Sequence, residues 1–326
     1  MNEFDRRSIL LGFALTPFVA AGDQAHAQEY PQRPVRVIVP YAAGGASDIV
    51  ARLVTSYMAK ELGQSMFVDN RGGGASITGT QAIATSQPDG YTVGVIDTAF
   101  TINPGLFGAR LPYNTQNDFA PVSLFARSPL VLVVPASLPV NSVQDLIALA
   151  KAKPGTVTMA SAGLGTAIHL GCEQFRQAAG IETIHVPYRG GGPSIIDLLA
   201  GKVDFTFGTI PAVLEHVRSG QLKALGITTG RVDVLPGVPA MAESGLPNVD
   251  AAAEFGMIAP ARMPEPIMTR LGTVAQTALE MPELRRRMTE IGFETVGMAP
   301  KEYSAHIAHE IAKWTRVIAA GNIKAE

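Results

Sequence analysis

Val35-Arg36-Val37-Ile38-Val39 leads through Pro40-Tyr41-Ala42-Ala43-Gly44-Gly45-Ala46 into Ser47-Asp48-Ile49-Val50-Ala51-Arg52. A β-branched run, a loop of small residues and a helical pattern follow one another without a gap, which is the opening unit of a helix-covered parallel sheet. Ile49, Leu53 and Tyr57 are spaced to share one face of a helix over about Ser47 to Leu62. The unit then recurs: a strand near Met66 to Val68, a second glycine loop, a helix near Ile77 to Thr85, and a strand from Tyr91 to Ile96.

A second cycle begins at about Pro129 with Leu130-Val131-Leu132-Val133-Val134. Ser142 can cap the helix after it, with Asp145 three positions on as its partner. Strands are predicted at Val157 to Ala160, Thr183 to Val186, Asp204 to Phe207 and Leu222 to Ile227. Helices near Ala167 to Ala179, Ser194 to Leu199 and Ala212 to Ser219 separate them. Beyond a Pro-rich link from Leu235 to Pro247, Phe255 to Pro260 reads as a strand returning to the first cycle. Helices near Glu265 to Glu280, Pro282 to Ile291 and Lys301 to Ala319 finish the chain, the last carrying Trp314 as a packing anchor. The fold class is α/β, with two lobes and a ligand cleft between them. Residues 28–128 with 255–326 make lobe 1, and 129–254 make lobe 2. Strand alternation alone leaves a dinucleotide-binding sheet as a structural competitor.

The chain has 326 residues, 47% hydrophobic and 17% charged, enough for a large core and about two domains. A net charge of -2 gives no broad basic field for nucleic acid. The single cysteine, Cys172, rules out an internal disulfide and a multi-thiolate metal site, and it reads as a small packed residue. At the start, Arg6-Arg7-Ser8 precedes the apolar stretch Ile9 to Ala21 and then Ala25-His26-Ala27. That is the pattern of a signal peptide over residues 1–27, twin-arginine-like, although a Sec route uses similar residues. The stretch is shorter than the roughly 20 apolar residues needed to cross a bilayer. The expected location is the periplasm.

Four strand-to-helix turns are loaded with small residues: 43–48, 70–76, 161–166 and 188–194, two in each lobe. Glycine lets a backbone approach a ligand, and the free amides of a helix start attract an anion. Ser47, Ser161 and Thr166 add hydroxyls. Taken singly, each loop reads equally well as a tight turn; together they point to a carboxylate. None completes GxGxxG, and no GxxxxGK[ST] occurs, so no nucleotide cofactor is expected. Ser161 lacks the first glycine of a nucleophile elbow, and no acid, base and nucleophile converge in spacing, so the chain is not expected to be an enzyme. His306 and His309 could clasp a metal, but without HExxH they read as a solvated helix face and no metal is assigned. His169 reads either as a ligand contact or as a loop-fixing hydrogen bond. Asp48 reads first as a helix cap, and Arg189, beside Tyr188, either as a partner for a distal carboxylate or as a surface residue.

Pro40 to Arg52, Asn70-Arg71 with its glycines, SAGLGTAIHL (161–170), HVPYRGGGPSIIDLLAGKVD (185–204), VPAMAESGLP (238–247) and FGMIAPARMP (255–264) together make the mature chain resemble the Bug-type receptors of tripartite tricarboxylate transporters. The resemblance implies a type II periplasmic-binding-protein flytrap without catalysis. It implies a carboxylate held by Tyr41, Gly45, Ser47, Ser161, Gly163 and Thr166, with Asp204 supporting the second lobe; Asp48, His169, Tyr188 and Arg189 complete the candidate set. The implied partners are a small carboxylate and membrane transporter subunits, and a monomer is expected. A receptor serving a sensor kinase and a periplasmic enzyme are the competing functions. The chain departs from the pattern where NRGGGAS lacks a proline after Arg71, and where Glu254 stands in place of a tryptophan.

Overall fold

The computed structural model describes residues 30–325. The proposed signal peptide, residues 1–27, lies outside them. In chain order the elements are β1 (Val35–Val39), α1 (Ala46–Leu62), β2 (Met66–Asn70), α2 (Ile77–Ala84), β3 (Thr92–Asp97), α3 (Ala99–Phe107), β4 (Phe119–Pro135), α4 (Val143–Ala152), β5 (Thr158–Ser161) and α5 (Ala167–Ala179). They continue as β6 (Ile184–Pro187), α6 (Gly191–Leu199), β7 (Phe205–Thr209), α7 (Ile210–Arg218), β8 (Leu222–Ile227), β9 (Ala252–Pro260), α8 (Glu265–Glu280), α9 (Pro282–Glu290), β10 (Glu294–Met298) and α10 (Pro300–Ala320).

The strands form one path, β2-β1-β3-β9-β4-β7-β5-β6, with β8 and β10 also paired to β4. Its centre is β4, a strand of 17 residues. From Phe119 to Pro129 it pairs antiparallel with β9, and from Leu130 to Val133 with β7. The switch of partner at Pro129 and Leu130 divides the sheet into two halves. Pro121 interrupts β4 at a register shift, the place in a strand where a residue without an N–H does least harm.

Each half has its own apolar core. Ile38, Ile83, Ile96, Phe100, Phe119, Leu124, Ile258 and Ile307 belong to one. Val131, Val133, Leu198, Val213, Leu222 and Ile227 belong to the other. Phe119 meets Phe100 edge to face at 5.1 Å in the first, and in the second half of the sheet Phe175 on α5 meets Phe205 on β7 edge to face at 5.7 Å. Trp314 is fully buried in α10, as its anchor role requires.

One expectation about a helix face changes. Along α1 the buried stripe is Val50, Ala51, Val54, Tyr57, Met58 and Leu62. Ile49 is 40% exposed, and with Leu53 it lines an open groove shared with Arg287 and Ile291 at α9. The i, i+4 spacing of Ile49, Leu53 and Tyr57 was apolar, but the helix turns its neighbouring stripe inward. The Ser142 cap is present: its Oγ accepts from the Asp145 amide at 3.0 Å, while the Asp145 carboxylate accepts from the Asn141 amide at 2.9 Å. No helix among the described residues is long and apolar enough to cross a membrane.

Candidate functional site

Strand direction alone brings the four glycine loops to one boundary. β1, β2 and β3 run parallel, and β9 runs against β3 with Asp97 opposite Phe255. β4 runs against β9, placing Pro129 opposite Ala252, and β7 runs against β4, placing Thr209 opposite Leu130. The carboxyl ends of β1 and β3 therefore face those of β5, β6 and β7 across the Pro129–Leu130 switch, where open α/β sheets hold ligands. Loop 161–166 meets α3 there: a Cβ on Gly165 would lie 2.9 Å from Leu106 Cδ2 and 3.5 Å from Asn103 Oδ1.

In the first half, Gly45 stands at the N-cap position before α1, with extended backbone and no side-chain cap. The first backbone bond is Ile49 N to Gly45 O at 3.0 Å, so the amides of Ala46, Ser47 and Asp48 precede it and the helix dipole stands behind them. Residues 42–45 are exposed, whereas Ser47 and Asp48 are buried. Asp48 accepts from Gly44 N, Arg52 Nε and Asn70 Nδ2, each at 3.0 Å. Burial works to raise its pKa, but the Arg52, Gly44 and Asn70 donors outweigh that and hold it below the ordinary carboxylate range. Asp48 is thus a fastener of loop 43–48, and its carboxylate is fully engaged within the protein. Tyr41 turns its hydroxyl to Asp97 Oδ1 at 2.8 Å. Loop 70–76 takes left-handed backbone at Gly73, Gly74, Ala75 and Ser76 in succession, and Asn103 Nδ2 holds it by donating to Ala75 O at 3.0 Å.

In the second half, Ser161 is fully buried. Its Oγ accepts from Gly163 N at 3.2 Å and lies 2.7 Å from His185 Nε2. Thr166 caps α5, accepting from His169 N at 3.2 Å and donating to Gly163 O at 2.8 Å. The His169 and His185 rings stack at 4.3 Å, and His169 Nδ1 accepts from Gly165 N at 3.3 Å. Accepting there requires an unprotonated Nδ1, and burial, followed by the neighbouring His185, drives the His169 pKa down to about 3. His169 is a loop fastener. Tyr188 N donates to Ser161 O and Gly190 N to Ala162 O, each at 3.0 Å, so the third and fourth loops form one body. The Tyr188 hydroxyl donates to Asp197 at 2.9 Å, and Arg189 is exposed.

Gly45 and Ser47 follow β1 at the boundary end of one half, and Gly163 and Thr166 follow β5 at the boundary end of the other, where a Cβ on Gly163 would lie 3.0 Å from Tyr188 O. Ser161 belongs there by position, but its hydroxyl is spent inside the loop. Asp204 supports the second half, as read, but as a ligand contact it stands away from the boundary. It precedes β7 and accepts from Thr158 N and Thr158 Oγ1 at 2.7 Å, at the opposite end of the strand from Thr209, roughly 16 Å away at strand rise. His306 corrects the sequence reading: it is no solvated face residue, since its Nε2 lies 2.7 Å from Glu254 Oε2, while His309 is exposed. Cys172 is fully buried and its thiol is pushed up to about 12 by burial. Sequence reasoning missed Asp97 and His185, which sit under Tyr41 and Ser161; only their places at or next to strand ends could have marked them.

Among known proteins, the chain matches the family described as the tripartite tricarboxylate transporter family receptor over residues 50–323. BugT of Bordetella pertussis is 37% identical over 320 residues, 98% of each chain. A solved R. palustris protein with adipate is 33% identical at a TM-score of 0.85, covering 91% of this chain and 99% of its own. MatC from Rhodopseudomonas palustris, with bound malate, is 30% identical at a TM-score of 0.81, covering 89% and 100%.

Proposed function

The chain belongs to the tripartite tricarboxylate transporter receptor family, and from that premise we propose that it captures a small carboxylate in the periplasm and delivers it to the membrane subunits of such a transporter. The observation that carries the reading is the convergence of glycine loops from both halves of the sheet on one boundary, with the uncapped amides of Ala46 and Ser47 at its rim. A carboxylate placed there satisfies donors that the helix cannot satisfy itself, and the dipole of α1 favours its charge. The structural relatives holding malate and adipate support the same ligand class.

In this reading residues 1–27 are removed on export. The two lobes are residues 28–128 with 255–326 and residues 129–254, hinged where β4 changes partner and where the chain returns into β9. Gly45, Ser47, Gly163 and Thr166, with the Tyr41 and Tyr188 backbones, form the anion cradle. Asp48, His169 and Ser161 shape it from beneath. The receptor acts as a monomer and performs no chemistry on its cargo.

A thermal-shift screen of residues 28–326, unfolded and refolded to remove copurified ligand, tests the proposal. Dicarboxylates and tricarboxylates, acidic amino acids and aromatic acids form the panel, with sugars and nucleotides as controls. At a hundred times its Kd a ligand adds about 2.7 kcal/mol of stability. The expected result is a rise of several degrees confined to one carboxylate class. A panel in which no acid shifts the midpoint contradicts the proposal.

A further inference from the structure

Asp97 ends β3 beside the returning strand β9 and is bonded by Tyr41, which follows β1. Both of its strong donors reach the same oxygen: the Tyr41 hydroxyl at 2.8 Å and the Ala99 amide at 3.0 Å both go to Oδ1. Oδ2 takes no donor from the side chain or backbone of another described residue, only the amide of Asp97 itself also bearing on the carboxyl, and it is not among the buried side-chain atoms left without a partner. Asp97 stands at the carboxyl end of β3, the end that faces the boundary between the sheet halves. Among the described residues no cation compensates the group. The residues that feel its charge are Tyr41 from the loop, Tyr113 after α3 and Tyr303 from α10, and burial holds all three phenols up and neutral. Burial likewise raises the Asp97 carboxyl to about 6, against the pull of the Tyr41 hydrogen bond. An ionised carboxylate left with one open oxygen and no counter-charge is an unfavourable arrangement that a ligand donor relieves.

We propose that Asp97 is a specificity-determining residue, whose Oδ2 receives a hydroxyl or ammonium group carried beside the ligand's anchored carboxylate. The inference rests on the carboxylate reading above and narrows it: hydroxy- or amino-substituted acids are selected over unsubstituted diacids. Because two donors already occupy Oδ1, that atom stays an acceptor in either protonation state, and any proton on the carboxyl resides on Oδ2. Ionised Asp97 therefore accepts from the ligand, and protonated Asp97 does not.

The test is calorimetric titration of refolded residues 28–326 with malate, aspartate, succinate and adipate, in wild type and in Asp97→Asn. Asparagine keeps an oxygen for Tyr41 and Ala99 but puts an amide donor where Oδ2 stood. Wild type is expected to prefer malate or aspartate over succinate by at least about tenfold, the worth of one hydrogen bond to a charged group. Which of the two wins distinguishes hydroxyl from ammonium. The preference should collapse in Asp97→Asn, and in wild type it should shrink between pH 7.5 and pH 5.5. The pH arm stands even if the variant fails to fold. An unchanged ratio in the variant, a ratio that grows toward pH 5.5, or tighter binding of succinate or adipate overturns the assignment of Asp97 while leaving carboxylate capture intact. Absence of binding by every acid in this set and in the thermal-shift panel overturns both.

Discussion

Glu254 and His306 meet at 2.7 Å close to the point where the chain crosses back into β9. Around them lie Arg127 on β4, opposite Glu254, then Glu294 on β10, bonded to Arg127, and Glu310 and Lys313 on α10, with Asp250 3.0 Å from Lys313. Carboxylates outnumber fixed cations in this cluster. The Glu254 hydrogen bond, against the cost of burial, lifts the His306 pKa above its ordinary value. A histidine raised on folding contributes stability that is complete below its unfolded pKa of about 6.5 and is lost as pH rises through the folded pKa. The thermal midpoint of wild type should therefore fall from pH 6.5 to 8.5 more steeply than that of His306→Gln. Parallel profiles would show that the pair carries no linkage. His169 has the opposite sign: with its folded pKa near 3, its contribution is lost as pH falls below 6.5. Residue pairings of this kind were the least legible part of the sequence. Glu254 and His306 are 52 positions apart, and Asp204 and Thr158 are 46 apart. Nothing local in a chain announces a partner at that distance.

Elements were legible where their signals are local. The spans Ala167 to Ala179, Leu222 to Ile227 and Glu265 to Glu280 coincide with α5, β8 and α8, because caps, apolar period and β-branched runs act within a few residues. Gly180, left-handed at φ 59°, ends α5 as a C-terminal glycine should. What escaped was α3, whose AFTINPGLF carries Pro104 and no clear apolar period, and the short β10, ETVGM. The first half of β4 escaped too, since Pro121 and two register shifts break its alternation, and its pairing with β9 joins residues more than a hundred positions apart. The Ser142 cap belongs to the legible class and has a measurable worth. Ser142→Ala should cost about 1 kcal/mol, read as a lower urea midpoint at an unchanged m-value. An unchanged midpoint would mean that α4 is held by packing alone.

At the scale of the described residues, two apolar clusters share one long strand, and every parallel strand on either side points its carboxyl end at the other half. That geometry follows from the α/β alternation read in the sequence, and the four glycine loops fall where it requires. Their position was therefore legible, whereas the fate of each side chain was not. Asp48, Ser161 and His169 were candidate contacts that the fold uses to fasten the loops, while the backbone at 42–45 stays exposed and is the surface proposed to meet an anion. The central claim is that this surface takes one small carboxylate. Calorimetric titration of the refolded chain with malate and adipate, followed by the wider acid panel, tests it most directly. The account predicts saturable heat at one ligand per chain for an acid, and none for sugars or nucleotides. No saturable heat from any carboxylate, or saturation by a sugar or nucleotide in its place, would contradict it.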